Sequence, residues 1–393
     1  MNFIRFVKTP RITTTPQPKK SPSKQSSNAK GKTSSQPQLH LTCIVTITSD
    51  FSPFAGSAKF ACRLTSSEIT HVCEEIIYWN PGDREIKVDL PLPSNFTSGF
   101  LKLWPLPLSE LSLWPLPTDF IGEFKGDLTT HIVGLESRQL TTGSVTGSDT
   151  VVRTFCVPGD VKPGHVELTE QAGETIIRHI WDAGLILSAL IANHSIPSFP
   201  ALQDLTDSVF SSFAGKRDVK ILEVGCGVGI LGIITAICFP QCQVVMTDLM
   251  DAESFVNRNI NQNLLEYKHL KDNASFRLLD WEERPFPSWT ETEKFELVVM
   301  ADVTYNTSTF SALTDTLEHL LQTGSKGAKV LCCGKRRHDE EEVFWTGIVQ
   351  RGFVIEKRIV CAIDLEGNFR CIEIDSSKEA GEQLVDFVLF NLP

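Results

Sequence analysis

The stretch VKILEVGCGVGILGIITA, Val219–Ala236, holds four glycines in eight residues, directly after an apolar run that reads as a buried strand. A strand, a glycine turn and an apolar helix in that order form a nucleotide cradle, and the register of the glycines decides which nucleotide. Counted from Gly227, the letters Gly227-x-Gly229-x-x-Gly232 fit the dinucleotide fingerprint. That fingerprint places its first glycine straight after the strand and its third five residues on. Here the first glycine after Val224 is Gly225, and five residues on stands Ile230. The Gly227 register leaves Gly225 and Cys226 as an unexplained insertion. Counted from Glu223, the same letters read Glu-x-Gly-x-Gly-x-Gly and use every glycine from Gly225 to Gly229. Bare backbone at a helix start lets a ligand come close. A carboxylate beside it suits the ammonium of S-adenosylmethionine better than it suits a pyrophosphate, so Glu223 is assigned to that ammonium.

The strands that follow supply matching groups. Asp248 ends the strand QVVMTD, 23 residues after Gly225, where a carboxylate can accept from both ribose hydroxyls. Asp280 and Trp281 end SFRLLD, placing an acceptor for the adenine amino group beside an indole for the purine face. FELVVMAD ends in Ala301-Asp302, followed by Val303-Thr304-Tyr305. Helices are expected at Asp182–Asn193, Ile230–Cys238, Ala252–Asn263, Ser308–Gln322 and Glu340–Arg351, with further strands AKVLCC, FVIEKRIV and QLVDFVLFNL. Strands alternating with helices of this length predict a doubly wound, mostly parallel α/β sheet that binds its ligands outside the carboxyl ends of the strands.

Three segments are expected along the chain: a basic tail (1–39), a β-rich extension (40–160) and the α/β domain (161–393). Residues 9–38 are rich in Ser, Thr, Pro and Lys and nearly free of large apolar side chains, a composition that predicts disorder. The β-rich segment carries LWPLP twice, at Leu103–Pro107 and Leu113–Pro117, and its prolines argue for extended edge or loop structure. No chemistry can be assigned to it. Residues 1–40 hold eight basic and no acidic residues, which leaves 29 basic against 48 acidic in the rest of the chain. An acidic body is a poor match for nucleic acid and suits a basic protein partner. The 11 cysteines include no Cys-x-x-Cys pair, so zinc and a disulfide framework are disfavoured and a reducing compartment is expected. That points to the cytoplasm, with the nucleus also open. The acid-poor N-terminus equally has the composition of a mitochondrial presequence. No apolar run is long enough to span a bilayer.

IWDAGLILS (Ile180–Ser188), LEVGCGVGILGI, LLDW (Leu278–Trp281) and ADVTY (Ala301–Tyr305) together resemble the seven-β-strand, class I lysine methyltransferases of methyltransferase family 16. LCCGKRRHDEEEVFW (Leu331–Trp345) resembles that family's fifth strand and following helix. The resemblance runs from Ile180 to Lys357 and implies a Rossmann-like seven-stranded sheet and S-adenosylmethionine as cofactor. It implies cofactor contacts at Trp181, Gly225, Cys226, Gly227, Asp248, Trp281 and Ala301, with Asp302 and Tyr305 facing a protein lysine. In that reading Asp302 accepts a hydrogen bond from the amine and Tyr305 packs along the aliphatic stem. A small-molecule N-methyltransferase stays open as an alternative. A nucleic-acid enzyme lacks its Pro-Pro pair at Val303-Thr304, and a non-catalytic module has to explain the intact motifs. The substrate protein and the oligomeric state are not named by the sequence.

Overall fold

The computed structural model describes residues 2–14, 38–49, 52–53, 57–66, 73–106, 132–133, 135–137, 139–141, 150–157, 164–171, 178–193, 200–213, 216, 218–338, 341–363, 369–372 and 382–393. The chain divides into two compact units, one of Asn2–Trp114 with Ile132–Val152 and the other holding Arg153–Pro393.

The second unit is built on one sheet. Side by side its strands are Ala274–Leu278, Gln243–Asp248, Lys220–Val224, Leu297–Ala301, Lys329–Arg336, Gln383–Asn391, Val354–Ile363 and Phe369–Ile372. The first five run parallel, and the last three attach antiparallel. Near-continuous apolar runs such as Leu297–Met300, buried throughout, are what a strand covered on both faces requires. The sheet has eight strands where seven were expected, because Phe369–Ile372 folds back and pairs with Val360–Ile363. Strand order reverses at Lys220–Val224, which lies between Gln243–Asp248 and Leu297–Ala301, and that reversal opens the crevice for a ligand.

Helices cover the sheet. Ile230–Cys238 follows the glycine turn, and Asp182–Ala192 packs on it, with Gly184 close to Ile230. Every residue of Asp182–Ala192 is buried, as suits a helix apolar on all sides. Met250–Asn263, Phe310–Thr323 and Glu342–Gln350 lie within two residues of their expected ends. Helix Pro200–Phe210 was not expected; it opens on proline, as a first helical turn allows, and buries Leu202, Leu205 and Val209 along one stripe. Leu222, Val298, Met300, Leu317, Phe344 and Phe390 belong to one buried core cluster.

The first unit is antiparallel β-structure. Asn2–Thr14 pairs with Leu39–Ser49, which also pairs with Ile86–Leu92. A second set joins Cys73–Trp79, Ala58–Thr65, Ser98–Leu106 and Leu135–Ser137. The expected disordered tail is therefore corrected at its start. Ile4 and Phe6, on either side of Arg5, are buried, enough to hold a strand once Leu41, Val45 and Ile47 supply a partner face. Pro10 falls inside a register irregularity between Lys8 and Arg11, where a residue without an N–H breaks no ladder. Residues 15–37 of that expected tail lie outside the described residues. The first LWPLP copy runs into strand Ser98–Leu106, and the second lies outside the described residues.

Candidate active site

A cavity of about 280 Å³ opens at the carboxyl ends of the strands on either side of the reversal. Gly225 and Gly227 form part of its wall after Lys220–Val224, and Asp248 and Leu249 after the neighbouring strand. Leu279–Glu282 follow the edge strand, and Ala301, Asp302, Val303 and Tyr305 follow the fourth. Trp181, at the N-cap of helix Asp182–Ala192, completes the wall.

The glycine turn is stitched to its neighbour. The N–H groups of Gly225 and Cys226 both donate to the Thr247 carbonyl at 2.9 Å, and Gly227 N–H donates to Asp248 Oδ2 at 2.8 Å. Gly225 takes φ +73°, and a Cβ there would stand 2.5 Å from Val303 Cγ1 and 3.3 Å from Trp281 Cζ2. Both backbone shape and space demand glycine at that point. Asp248 Oδ1 also accepts from Leu249 N–H at 2.7 Å. Burial nevertheless raises the Asp248 pKa above the usual carboxylate value, against the pull of those two donors.

Two expected contacts are not at the wall. Glu223 is 2% exposed and accepts Gly232 N–H at 2.9 Å. A Cβ on Gly232 would lie 2.6 Å from Glu223 Oε2 and 2.3 Å from Met246 Cγ, so that glycine exists for packing. Burial pushes the Glu223 pKa well up, and the nearby Asp248 charge adds to it. One carboxylate oxygen thus braces strand against helix, and the ammonium contact expected from the sequence would fall to the other. Cys226 is also buried and off the wall, its thiol pushed up by burial, so its part in the turn is its backbone.

Asp302 sits at φ +54° with its carboxylate 3% exposed. Oδ2 accepts Ala183 N–H at 2.8 Å, while Oδ1 accepts Arg337 Nη1 at 2.9 Å and Lys335 N–H at 3.2 Å. Of about four lone-pair positions on a carboxylate, three are taken, and the free one is on Oδ2. Asp302 thus ties the fourth and fifth strands to the start of helix Asp182–Ala192 and keeps one Oδ2 position for the amine expected from the sequence. Its charge lies at that helix's N-terminus, where a negative charge is favoured.

Arg337 and Lys335 are the residues that sequence reasoning missed. Arg337 bonds Asp302 and places its guanidinium 5.9 Å from the centre of the Trp181 ring. Lys335 Nζ pairs with Asp182 Oδ2 at 2.7 Å, both side chains buried. Arg336, between them, faces away and pairs with Asp386. Alternation along an extended strand was the available signal: residues 335 and 337 share one face. Tyr305 is 47% exposed, and burial of the rest of its ring, with the Asp248 charge, raises its phenol pKa, so it stays neutral. Asn306 then caps the next turn by accepting Ser308 N–H at 3.1 Å.

Residues 161–351 match the family model described as lysine methyltransferase. A UPF0665 family protein of Schizosaccharomyces pombe is 33% identical over 183 residues, covering 46% of this chain and 49% of that protein. The mouse (Mus musculus) protein N-lysine methyltransferase METTL21A is 28% identical over 178 residues, covering 45% of this chain and 69% of its own. Mouse EEF1A lysine methyltransferase 3 is 28% identical over 198 residues, covering 49% of this chain and 72% of its own. The match thus spans about half of this chain and about half of the fission yeast protein. The cofactor of such a domain is S-adenosylmethionine, and the wall fits it. Gly225 and Gly227 bring bare backbone to the wall, Asp248 offers a carboxylate for hydroxyls, and Trp281 offers an indole for a purine. Residues 161–351, a little under half of the chain, are therefore similar to the lysine methyltransferases of methyltransferase family 16.

Proposed function

We propose that this protein transfers a methyl group from S-adenosylmethionine to the side-chain amine of a lysine in a protein substrate. One observation carries the reading: the Asp302–Tyr305 turn stands at the cavity wall, locked by Ala183, Lys335 and Arg337 and ending in a half-exposed tyrosine. When bound, the cofactor supplies an electrophilic methyl group on a sulfonium. Trp181, Gly225, Gly227, Asp248, Trp281 and Ala301 are the residues that would hold it. The remaining work falls to the chain's own side chains. A lysine with an ordinary pKa of about 10.4 arrives as an ammonium and has to lose its proton before it can act as a nucleophile. Arg337 offsets the charge of Asp302, so that carboxylate holds an entering ammonium in its charged form less strongly than an unpaired one would. The remaining Oδ2 lone pair orients the amine, and the proton leaves to water at the open mouth. The Tyr305 ring lines the stem and excludes water from one side. Acceleration comes chiefly from alignment, which can supply about 7–11 kcal/mol in well-oriented reactions.

The test incubates purified full-length protein, beside Asp302→Ala, with tritium-methyl S-adenosylmethionine in extract of the source cell. A protease-sensitive, nuclease-resistant labelled band that yields methyl-lysine, absent with the variant, is expected. Label in small molecules or nucleic acid, or label in protein on another side chain, contradicts the reading.

A further inference from the structure

Cys361 and Cys371 face each other directly across the antiparallel pair Val354–Ile363 and Phe369–Ile372 at the end of the sheet. Their sulfurs are 3.3 Å apart. Directly opposed residues in an antiparallel pair have Cα atoms about 4.5–5.5 Å apart, inside the roughly 4.4–6.8 Å that a disulfide spans. Closing to a bond of about 2.05 Å therefore needs side-chain rotation and no rearrangement of the strands. The two thiols are also unlike each other. Cys361 is fully buried, while Cys371 is exposed to solvent. The neighbouring Cys361 thiol holds the Cys371 pKa down at about 7, while Cys361 itself is pushed up. Burial pushes up the thiols of Cys43, Cys226 and Cys332, so acidity and exposure coincide at Cys371.

We propose that Cys361 and Cys371 form a redox pair, which a hydroperoxide oxidises to an intrachain disulfide. The Cys371 thiolate attacks the terminal peroxide oxygen; the O–O bond breaks, an S–O bond forms, and the leaving oxygen takes a proton from water. Cys361 then attacks the resulting sulfenic sulfur, forming the S–S bond. Its proton and the sulfenic hydroxide leave as water. Two thiols lose two electrons, and hydrogen peroxide becomes two waters. The bond joins the edge strand covalently to the strand inside it.

Full-length protein, Cys361→Ser and Cys371→Ser are each treated with equimolar hydrogen peroxide, alkylated and digested without reductant. Circular dichroism first shows that both variants fold. The wild type is expected to give a peptide joined through residues 361 and 371, lost on adding dithiothreitol. Cys361→Ser is expected to accumulate a dimedone-trappable sulfenic acid on Cys371, and Cys371→Ser to give neither product. Cys371 in the wild type should alkylate at pH 7 about tenfold faster than an ordinary thiol. Over-oxidation of Cys371 without a bridge, bridges spread over other cysteines, or no reaction at Cys371 overturns the proposal.

Discussion

At Asp302 a left-handed backbone and a carboxylate with three donors meet, and the two conditions explain each other. The turn at φ +54° aims the side chain back at Ala183, Lys335 and Arg337 instead of outward. Removing its charge therefore disturbs more than the substrate side. In Asp302→Asn the amide keeps one acceptor oxygen but loses the ion pair with Arg337, which then no longer holds its place at Trp181. Hydrogen bonds to charged groups contribute about 1.5–3 kcal/mol, so turnover should fall by about 10- to 100-fold, and cofactor affinity should fall with it. Steady-state kinetics beside calorimetry checks this; turnover lost at unchanged affinity contradicts the bracing role. Glu223 tests the opposite case. Its folded pKa is raised, so its contribution to stability is fully present below the unfolded value and is lost as pH rises through the folded one. Glu223→Gln keeps an acceptor for Gly232 N–H and removes the titration. Thermal unfolding from pH 5 to 9 should fall with pH in the wild type and flatten in the variant, while activity is retained. A matching slope in both contradicts the bracing role of a buried acid. These two carboxylates mark where sequence reasoning met its limit. Both types and positions were legible, but which way each points depends on partners 9 to 119 residues away.

Strand Gly164–Gln171 shows how an element outside the main sheet holds the site. Asn259, fully buried on helix Met250–Asn263, accepts Thr169 N–H at 2.8 Å. It donates to the Thr169 carbonyl at 3.1 Å and to the Val228 carbonyl at 2.9 Å. One side chain thus joins that strand, the helix after Asp248 and the glycine turn. Asn259→Ala leaves three backbone groups buried without this partner, at a cost of about 3 kcal/mol or more. At about 2–4 °C per kcal/mol for a unit the size of Arg153–Pro393, its melting temperature should drop by roughly 6–12 °C. An unchanged melting temperature in scanning calorimetry contradicts the role given to Asn259. Helix Ile230–Cys238 and the five parallel strands were legible because each carries a full period of apolar residues next to a turn signal. Helix Pro200–Phe210 was not, since its apolar stripe is short and follows a Ser/Pro-rich run. The strand Phe369–Ile372 is only four residues long, too short for its period to show.

Across the whole chain, chemistry and composition separate. The site gathers the ends of four strands drawn from Lys220–Ala301, and the motifs for all four were readable in order. The N-terminal unit offered only β-patterning, and the basic composition of its first residues hid the Ile4–Phe6 alternation that makes Asn2–Thr14 a strand. Pairing with Leu39–Ser49 crosses a long stretch of sequence, which a local reading does not see. The central claim is that the glycine turn and its neighbours form a methyl-donor site and not a dinucleotide site. The direct measurement is calorimetric titration of S-adenosylhomocysteine, and separately NAD, into the full-length protein and into folded Asp248→Ala. One S-adenosylhomocysteine per chain is predicted, with affinity lowered about tenfold or more in the variant and no heat from NAD. Because burial raises the Asp248 pKa, while ribose hydroxyls favour its ionised form, wild-type affinity should weaken as pH falls through that raised value. Binding of NAD, no binding of S-adenosylhomocysteine, or equal affinity in Asp248→Ala would contradict the account.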